Sequence, residues 1–210
     1  MFQFSTEEVR GHRVRVQGVV TLVQAGVGVY VADGEGSLLV RTQPEVRLAP
    51  GDRADVVGFP AMADALPQLE HAVVRVLKAG ERPAARRVAP SELGPELNAV
   101  LVSLEGVVRQ VRSGDRAVDL EGADGDYVAA LVGADEEVLP RLERGTRVEV
   151  TGVHVASPSD TLGRRRPRVL LGSAGDLRVV ARPPWLTAQR MAQVLVGMGL
   201  VLLLGTLWLV

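Results

Sequence analysis

The stretch Val14-Arg15-Val16-Gln17-Gly18-Val19-Val20 returns 88 residues later as Val102-Ser103-Leu104-Glu105-Gly106-Val107-Val108. A second pair, Gly51-Asp52-Arg53-Ala54-Asp55-Val56-Val57-Gly58 and Gly145-Thr146-Arg147-Val148-Glu149-Val150-Thr151-Gly152, is offset by 94. Two anchors recurring in the same order at nearly the same spacing mark a tandem duplication, and overlooking it would merge two units into one irregular sandwich. The six additional residues of the second copy fall between the anchors. There Asp135-Glu136-Glu137-Val138-Leu139-Pro140-Arg141-Leu142 fits a helical turn.

Each copy reads as β. Val14 and Val16 alternate with Arg15 and Gln17, the period of a half-buried strand. Val29-Tyr30-Val31 and Leu38-Leu39-Val40 flank Asp33-Gly34-Glu35-Gly36, a turn signal. Pro50-Gly51-Asp52-Arg53 is another turn, followed by strands over Ala54–Val57 and Val73–Leu77. Five short strands punctuated by glycine predict a small closed barrel. Gly18 and Gly106 sit mid-strand, where glycine costs about 0.5–1 kcal/mol, so they are expected to let the first strand coil sharply.

The expected fold is therefore all-β: two tandem OB-like five-stranded barrels followed by a C-terminal transmembrane α-helix. The units are residues 1–79, a linker at 80–98 with Ser91 as a cap, a second barrel at 99–181, a juxtamembrane connector at 182–190 and the helix at 191–210. Met191–Val210 contains no charged residue. At about 1.5 Å per residue a run of that length spans the hydrocarbon core of a bilayer. Arg190 and Trp185 precede the run and Trp208 lies near its end, where interfacial anchors are expected. The expected localisation is single-pass membrane, with membrane lipid as a partner. The positive-inside rule cannot orient the helix from one flank. The barrels are expected on the periplasmic, extracytoplasmic side, and in the cytoplasm if the chain is complete, because no export signal is visible at the N-terminus.

The chemistry is mostly exclusion. The chain of 210 residues has no cysteine, which removes disulfides, thiol nucleophiles and Cys-ligated metals. His12, His71 and His154 lack metal-ligand spacing, and His154 with Ser157 and Asp160 reads as a solvated loop rather than a triad. Asp33–Gly36 and Asp124–Asp126 read as turns, not calcium loops. No enzyme activity, catalytic residue, metal or cofactor is expected. The one basic cluster is Arg164, Arg165 and Arg166 with Arg168, on the loop between the fourth and fifth strands that serves as a binding edge in OB barrels. The first copy carries 8 cations and 9 anions, the second 11 and 13, and their aromatics beyond residue 4 are Tyr30, Phe59 and Tyr127. Nucleic-acid platforms need a basic groove with stacking aromatics, so nucleic acid is the least favoured partner.

Taken together, these features resemble the extracytoplasmic input region of bacterial membrane-bound signalling proteins, sensor histidine kinases and diguanylate cyclases. The resembling residues are the V-x-V-x-G-V-V opening, Val29-Tyr30-Val31-Ala32-Asp33-Gly34, Pro50-Gly51-Asp52-Arg53, Ser91-Glu92-Leu93, Asp176-Leu177-Arg178-Val179-Val180 and Pro183-Pro184-Trp185-Leu186-Thr187. The resemblance implies a non-catalytic sensory region that binds an unknown ligand or protein, a homodimer in the parent receptor, and a fragment lacking the output domain. None of the three histidines fits the phosphorylated position of such kinases. The alternatives are a membrane-tethered adaptor for a protein or polysaccharide and, last, a single-strand nucleic-acid binder.

Overall fold

The computed structural model describes residues 12–42, 47–63, 66–112, 116–133, 142–156 and 166–183. The first copy forms β1 (Val14–Gln24), β2 (Gly28–Ala32), β3 (Ser37–Val40), β4 (Arg53–Ala63) and β5 (Leu66–Lys78), which close in the order β1-β2-β3-β5-β4. β3 and β5 run parallel, and the other neighbours of the ring are antiparallel. The second copy follows β6 (Arg86–Arg87) and forms β7 (Leu101–Arg112), β8 (Ala117–Glu121), β9 (Asp126–Leu131), β10 (Arg147–Val155), β11 (Arg168–Leu171) and β12 (Leu177–Ala181). β7-β8-β9-β11-β10 make the same ring, with the β9–β11 pair parallel and β10 returning to β7. Five strands closed in this order with one parallel pair are the OB-type barrel. Both halves of the all-β expectation hold.

The duplication extends to individual hydrogen bonds. Val20 N donates to Asp52 O and Val20 O accepts from Gly51 N, each at 2.8 Å. Val108 repeats this with Thr146 and Gly145 at 2.9 and 2.8 Å. Inward side chains fill each barrel. Val16, Val20, Val31, Leu38, Val56 and Leu69 are among those in the first, and Val102, Leu104, Leu120, Tyr127, Val150 and Val169 among those in the second.

The two glycines act differently from the expectation. The kink lies further along, at β-bulges between Val20 and Leu22 and between Val108 and Gln110. Glycine is required because neighbours come too close. A Cβ on Gly18 would stand 2.6 Å from the Ala32 carbonyl oxygen and Val31 Cγ1, and one on Gly106 would stand 2.7 Å from the Tyr127 hydroxyl.

Residues 80–98 are more than a linker. β6 pairs with β7, and Val88, Leu93 and Leu97 join the core of the second barrel. Ser91 does not cap the turn at Pro90–Glu92. Its N-cap is Ala89, whose amide donates to Glu92 Oε2 at 2.6 Å, while the Ser91 hydroxyl donates to Asp124. β4 and β5 run well past Gly58 as a two-stranded arm ending at Ala63 and Leu66, longer than the alternation suggested. The helical turn expected around 135–142 lies mostly outside the described residues, as does the helix expected over Met191–Val210. Among the described residues no helix is long and apolar enough to cross a membrane.

Candidate functional site

OB barrels take ligands on the outward face of their second and third strands, between the loop joining strands one and two and the loop joining strands four and five. On the first barrel that face is apolar and covered. Tyr30 on β2 and Leu39 on β3 point outward, flanked by Leu22 past the β1 bulge and Leu66 at the tip of the β4–β5 arm. None of the four is more than 8% exposed. They pack in one cluster with Ala99, Leu101, Ala117, Ala130, Val153 and Leu170 of the second barrel. The β1–β2 turn joins in, with Ala25 N donating to Val132 O at 3.4 Å. The Tyr30 hydroxyl donates to Gln24 Oε1 at 3.3 Å, and burial pushes its pKa up to about 12. The second barrel thus sits where a ligand of the first would sit. A fully buried Leu contributes about 1.5–3 kcal/mol, so several such side chains hold the barrels as one body.

The strand registers give the equivalent positions on the second barrel. Leu22 pairs with Tyr30 and Tyr30 with Leu39, while Gln110 pairs with Asp119 and Asp119 with Val128. The parallel pair extends the match, with Leu39 beside Gln68 and Val128 beside Arg168, so that Leu66 corresponds to Arg166. This second face is largely charged, with Val128 in the place of Leu39 half-buried against the junction cluster. Arg112 grips Asp119 through two bonds of 2.9 and 2.8 Å. Arg166 lies 3.5 Å from Asp119 and 3.4 Å from Asp126. Arg109 donates to Glu121 at 3.0 Å and lies 3.4 Å from Asp126. The Arg109 hydrogen bond holds the Glu121 carboxyl below the usual carboxylate range. Asp119 is only 5% exposed, whereas the three guanidinium side chains are 42–44% exposed.

Three guanidinium groups and three carboxylates alternate in this lattice and balance one another, with Arg168 exposed beside them. A polyanion would meet carboxylates already holding the cations it needs. A partner that presents both signs, or hydrogen-bonding groups, meets no such mismatch. Of the arginine cluster read from the sequence, Arg166 enters this lattice and Arg168 is exposed on β11 beside it. Arg164 and Arg165 lie outside the described residues, as do Trp185, Arg190 and Trp208. Sequence reasoning missed Asp119, Glu121, Asp126, Arg109 and Arg112. The available signal was the comparison of copies, in which Asp119 and Glu121 replace Tyr30 and Ala32 on outward positions of the second strand.

His154 is wholly buried on β10, which corrects its reading as part of a solvated loop. The Tyr127 hydroxyl is buried under Gly106 and has no hydrogen-bond partner among the described residues. Burial, reinforced by the Glu105 charge, pushes its pKa up. Among the described residues no group of three His, Asp or Glu could hold a metal ion. One further concavity, a cleft of about 860 Å³, opens between β1, the Asp33–Gly36 turn and the segments around Arg86 and Glu96. Its walls carry Asp33, Glu35 and Glu96 against Arg53 and Arg86, again both signs.

No family model and no curated protein matches the chain. Among solved structures it is similar to an aspartyl-tRNA synthetase from Entamoeba histolytica, at 16% identity and a TM-score of 0.39 over 49% of this chain. The chain spans only 23% of that protein's length. It is also similar to the Ifi202 HINa domain solved with 20-bp double-stranded DNA, at 11% identity and 0.38, covering 82% of this chain and 100% of that one. A murine DNA-binding protein bound to double-stranded DNA gives 10% and 0.38, covering 81% and 100%. Likeness at this level says nothing about ligands here, and the barrel assignment rests on the strand order above.

Proposed function

We propose that the chain is the non-catalytic, partner- or ligand-binding region of a membrane-bound signalling receptor, anchored by Met191–Val210. The observation that carries this reading is the sealing of the first barrel's ligand face by the second, which makes a single body whose second barrel presents a face of both charge signs. Among its described residues no group of three His, Asp or Glu could hold a metal ion, and its last strand, β12, precedes the uncharged run in the sequence. A bound partner would act by favouring one arrangement of the body relative to the anchor, transmitted as a shift or rotation of the helix. The Arg109–Arg112–Arg166 lattice is the contact surface in this reading. A nucleic-acid function is disfavoured because each of these guanidinium groups already faces a carboxylate.

The test joins the full chain at Val210 to the cytoplasmic kinase portion of a well-behaved two-component receptor in bacterial membranes. The expected results are carbonate-resistant membrane association and an output changed by Arg166→Glu at unchanged expression. Extraction by carbonate, or output indifferent to Arg166→Glu and Asp126→Arg alike, contradicts the reading. Tight, steeply salt-dependent capture of a labelled oligonucleotide would favour the nucleic-acid alternative instead.

A further inference from the structure

Residues 86–97 form a strap across the second barrel. Arg86 and Arg87 of β6 lie parallel to Val102 and Ser103 of β7, and Val88 N donates to Ser103 O at 3.1 Å. Arg87 pairs with Glu105, Pro90 rests on the turn at 122–125, and the Ser91 amide and hydroxyl both donate to Asp124. The strap thus completes the stretch of β7 before Val107, where pairing with β8 begins.

The first barrel has the same seat. Residues 14–17 correspond to 102–105, and among the described residues they pair only with β4, because β2 joins β1 from Val19 onward. The turn at 33–36, closed by Asp33 N to Gly36 O at 3.1 Å, corresponds to the turn at 122–125, closed by Gly122 N to Gly125 O at 2.9 Å. Glu35 therefore stands in the place of Asp124, and Gln17 in that of Glu105. Gln17 and the whole turn at 33–36 line the cleft of about 860 Å³ described above, and a Cβ on Gly34 would meet nothing within 4 Å. The places that grip the strap in the second copy are thus open in the first.

We infer that this cleft is a peptide site: it takes a short, extended, basic segment of a partner protein, laid parallel to β1 as β6 lies on β7. An unpaired strand edge binds such a segment through main-chain hydrogen bonds, and the pockets beside it select the side chains. Three carboxylates, Asp33, Glu35 and Glu96, line the cleft against two guanidinium groups, Arg53 and Arg86, an excess of one negative charge that favours a basic segment. The strap shows the chemistry of the fit, with arginines at its start and a hydroxyl over the acidic turn. The site shares no residue with the Arg109–Arg112–Arg166 lattice and stands or falls separately from it.

The probe is a synthetic peptide with the sequence of residues 85–91, Ala-Arg-Arg-Val-Ala-Pro-Ser, blocked at both ends and carrying a neutral fluorophore. It is titrated against the full chain in neutral detergent and followed by anisotropy. Saturable binding with a Kd of about 1 mM or tighter, at least about fivefold weaker for a scrambled peptide and for Glu35→Arg, supports the inference. Saturating peptide should also slow maleimide labelling of Gln17→Cys. Equal binding of native and scrambled peptides, unchanged binding by a folded Glu35→Arg variant, or unchanged labelling overturns it. Loss of binding in Asp124→Arg but not in Glu35→Arg would mean exchange with the strap of the second barrel, which also overturns it. Binding only to a chain shortened by its first 11 residues would make the occupant this chain's own leader and overturn the assignment to a partner. Should Glu35→Arg lose its β-sheet circular dichroism, Glu35→Gln replaces it, with an expected loss of at least about twofold.

Discussion

Tyr30 and Asp119 occupy the same place in two copies of one ring. The first is sealed in an apolar junction and the second is the hub of an ion-pair lattice. The inward residues of the two barrels are mostly valine and leucine, with Tyr127 added in the second. Outward residues on the front face have diverged, Tyr30 to Asp119 and Leu66 to Arg166, whereas Arg53 and Asp55 return as Arg147 and Glu149. The barrel is thus set by the residues that alternate inward, and the use of each face by those that alternate outward. A strand carries both sets independently because its side chains point to opposite faces.

The comparison is broken most severely by making the first face resemble the second. Tyr30→Asp places an uncompensated carboxylate in the apolar junction and is expected to cost about 3–5 kcal/mol. It should also divide a single denaturant transition into two, as followed by hydrogen exchange of each barrel. Leu22→Ala is expected to lose about 2–5 kcal/mol. Gln110→Ala, at the matching place on the second barrel, should stay within about 0.5 kcal/mol of wild type in the same titration.

The glycines sharpen the contrast. Gly106→Ala meets the end of a side chain, and Gly18→Ala meets the Ala32 carbonyl as well as a valine methyl. Each should cost about 1–3 kcal/mol. Adding Tyr127→Phe removes the obstructing hydroxyl and should recover part of the Gly106→Ala loss in thermal melts. Adding Tyr127→Phe to Gly18→Ala should recover nothing.

Tyr30 also makes the junction sensitive to alkali. Its pKa rises from 10.0 to about 12 on folding. The stabilisation of the neutral phenol is therefore complete below pH 10 and is lost as the pH rises through 12. In guanidinium titrations at rising pH, Tyr30→Phe should lose less stability than wild type over this range, by up to about 2 kcal/mol. A small effect is also expected at Arg166→Ala. Its side chain is 42% exposed, and loss of its two ion pairs should cost under about 1 kcal/mol and shrink further with salt.

Much of this architecture was legible in the residues. The duplication and the five-strand reading came directly from Val14–Val20, Gly51–Gly58 and their repeats, because inward alternation and turn glycines are local signals. The length of the β4–β5 arm was not, since Leu66–Glu70 lacks clean alternation. The capture of Val88, Leu93 and Leu97 by the second barrel was hidden because their neighbours are prolines, alanines and charges, a composition typical of linkers. Arg166 was legible as part of a basic cluster. Its carboxylate partners lie 40 or more residues away on β8 and β9, and only strand register brings them together. The sealing of the first face could have been suspected from Tyr30 and Leu39 standing on outward positions, but its partner surface is defined only by three-dimensional packing.

The central claim is that the second barrel occupies the ligand face of the first. The chain has no native cysteine, so single cysteines report on this face without interference. Leu22→Cys and Gln110→Cys, at matching places in the two rings, are to be labelled with a maleimide under native conditions. Because opening of the junction must precede modification of the first, it should react at least about a hundredfold more slowly than the second. Equal labelling rates in two folded variants would contradict the account.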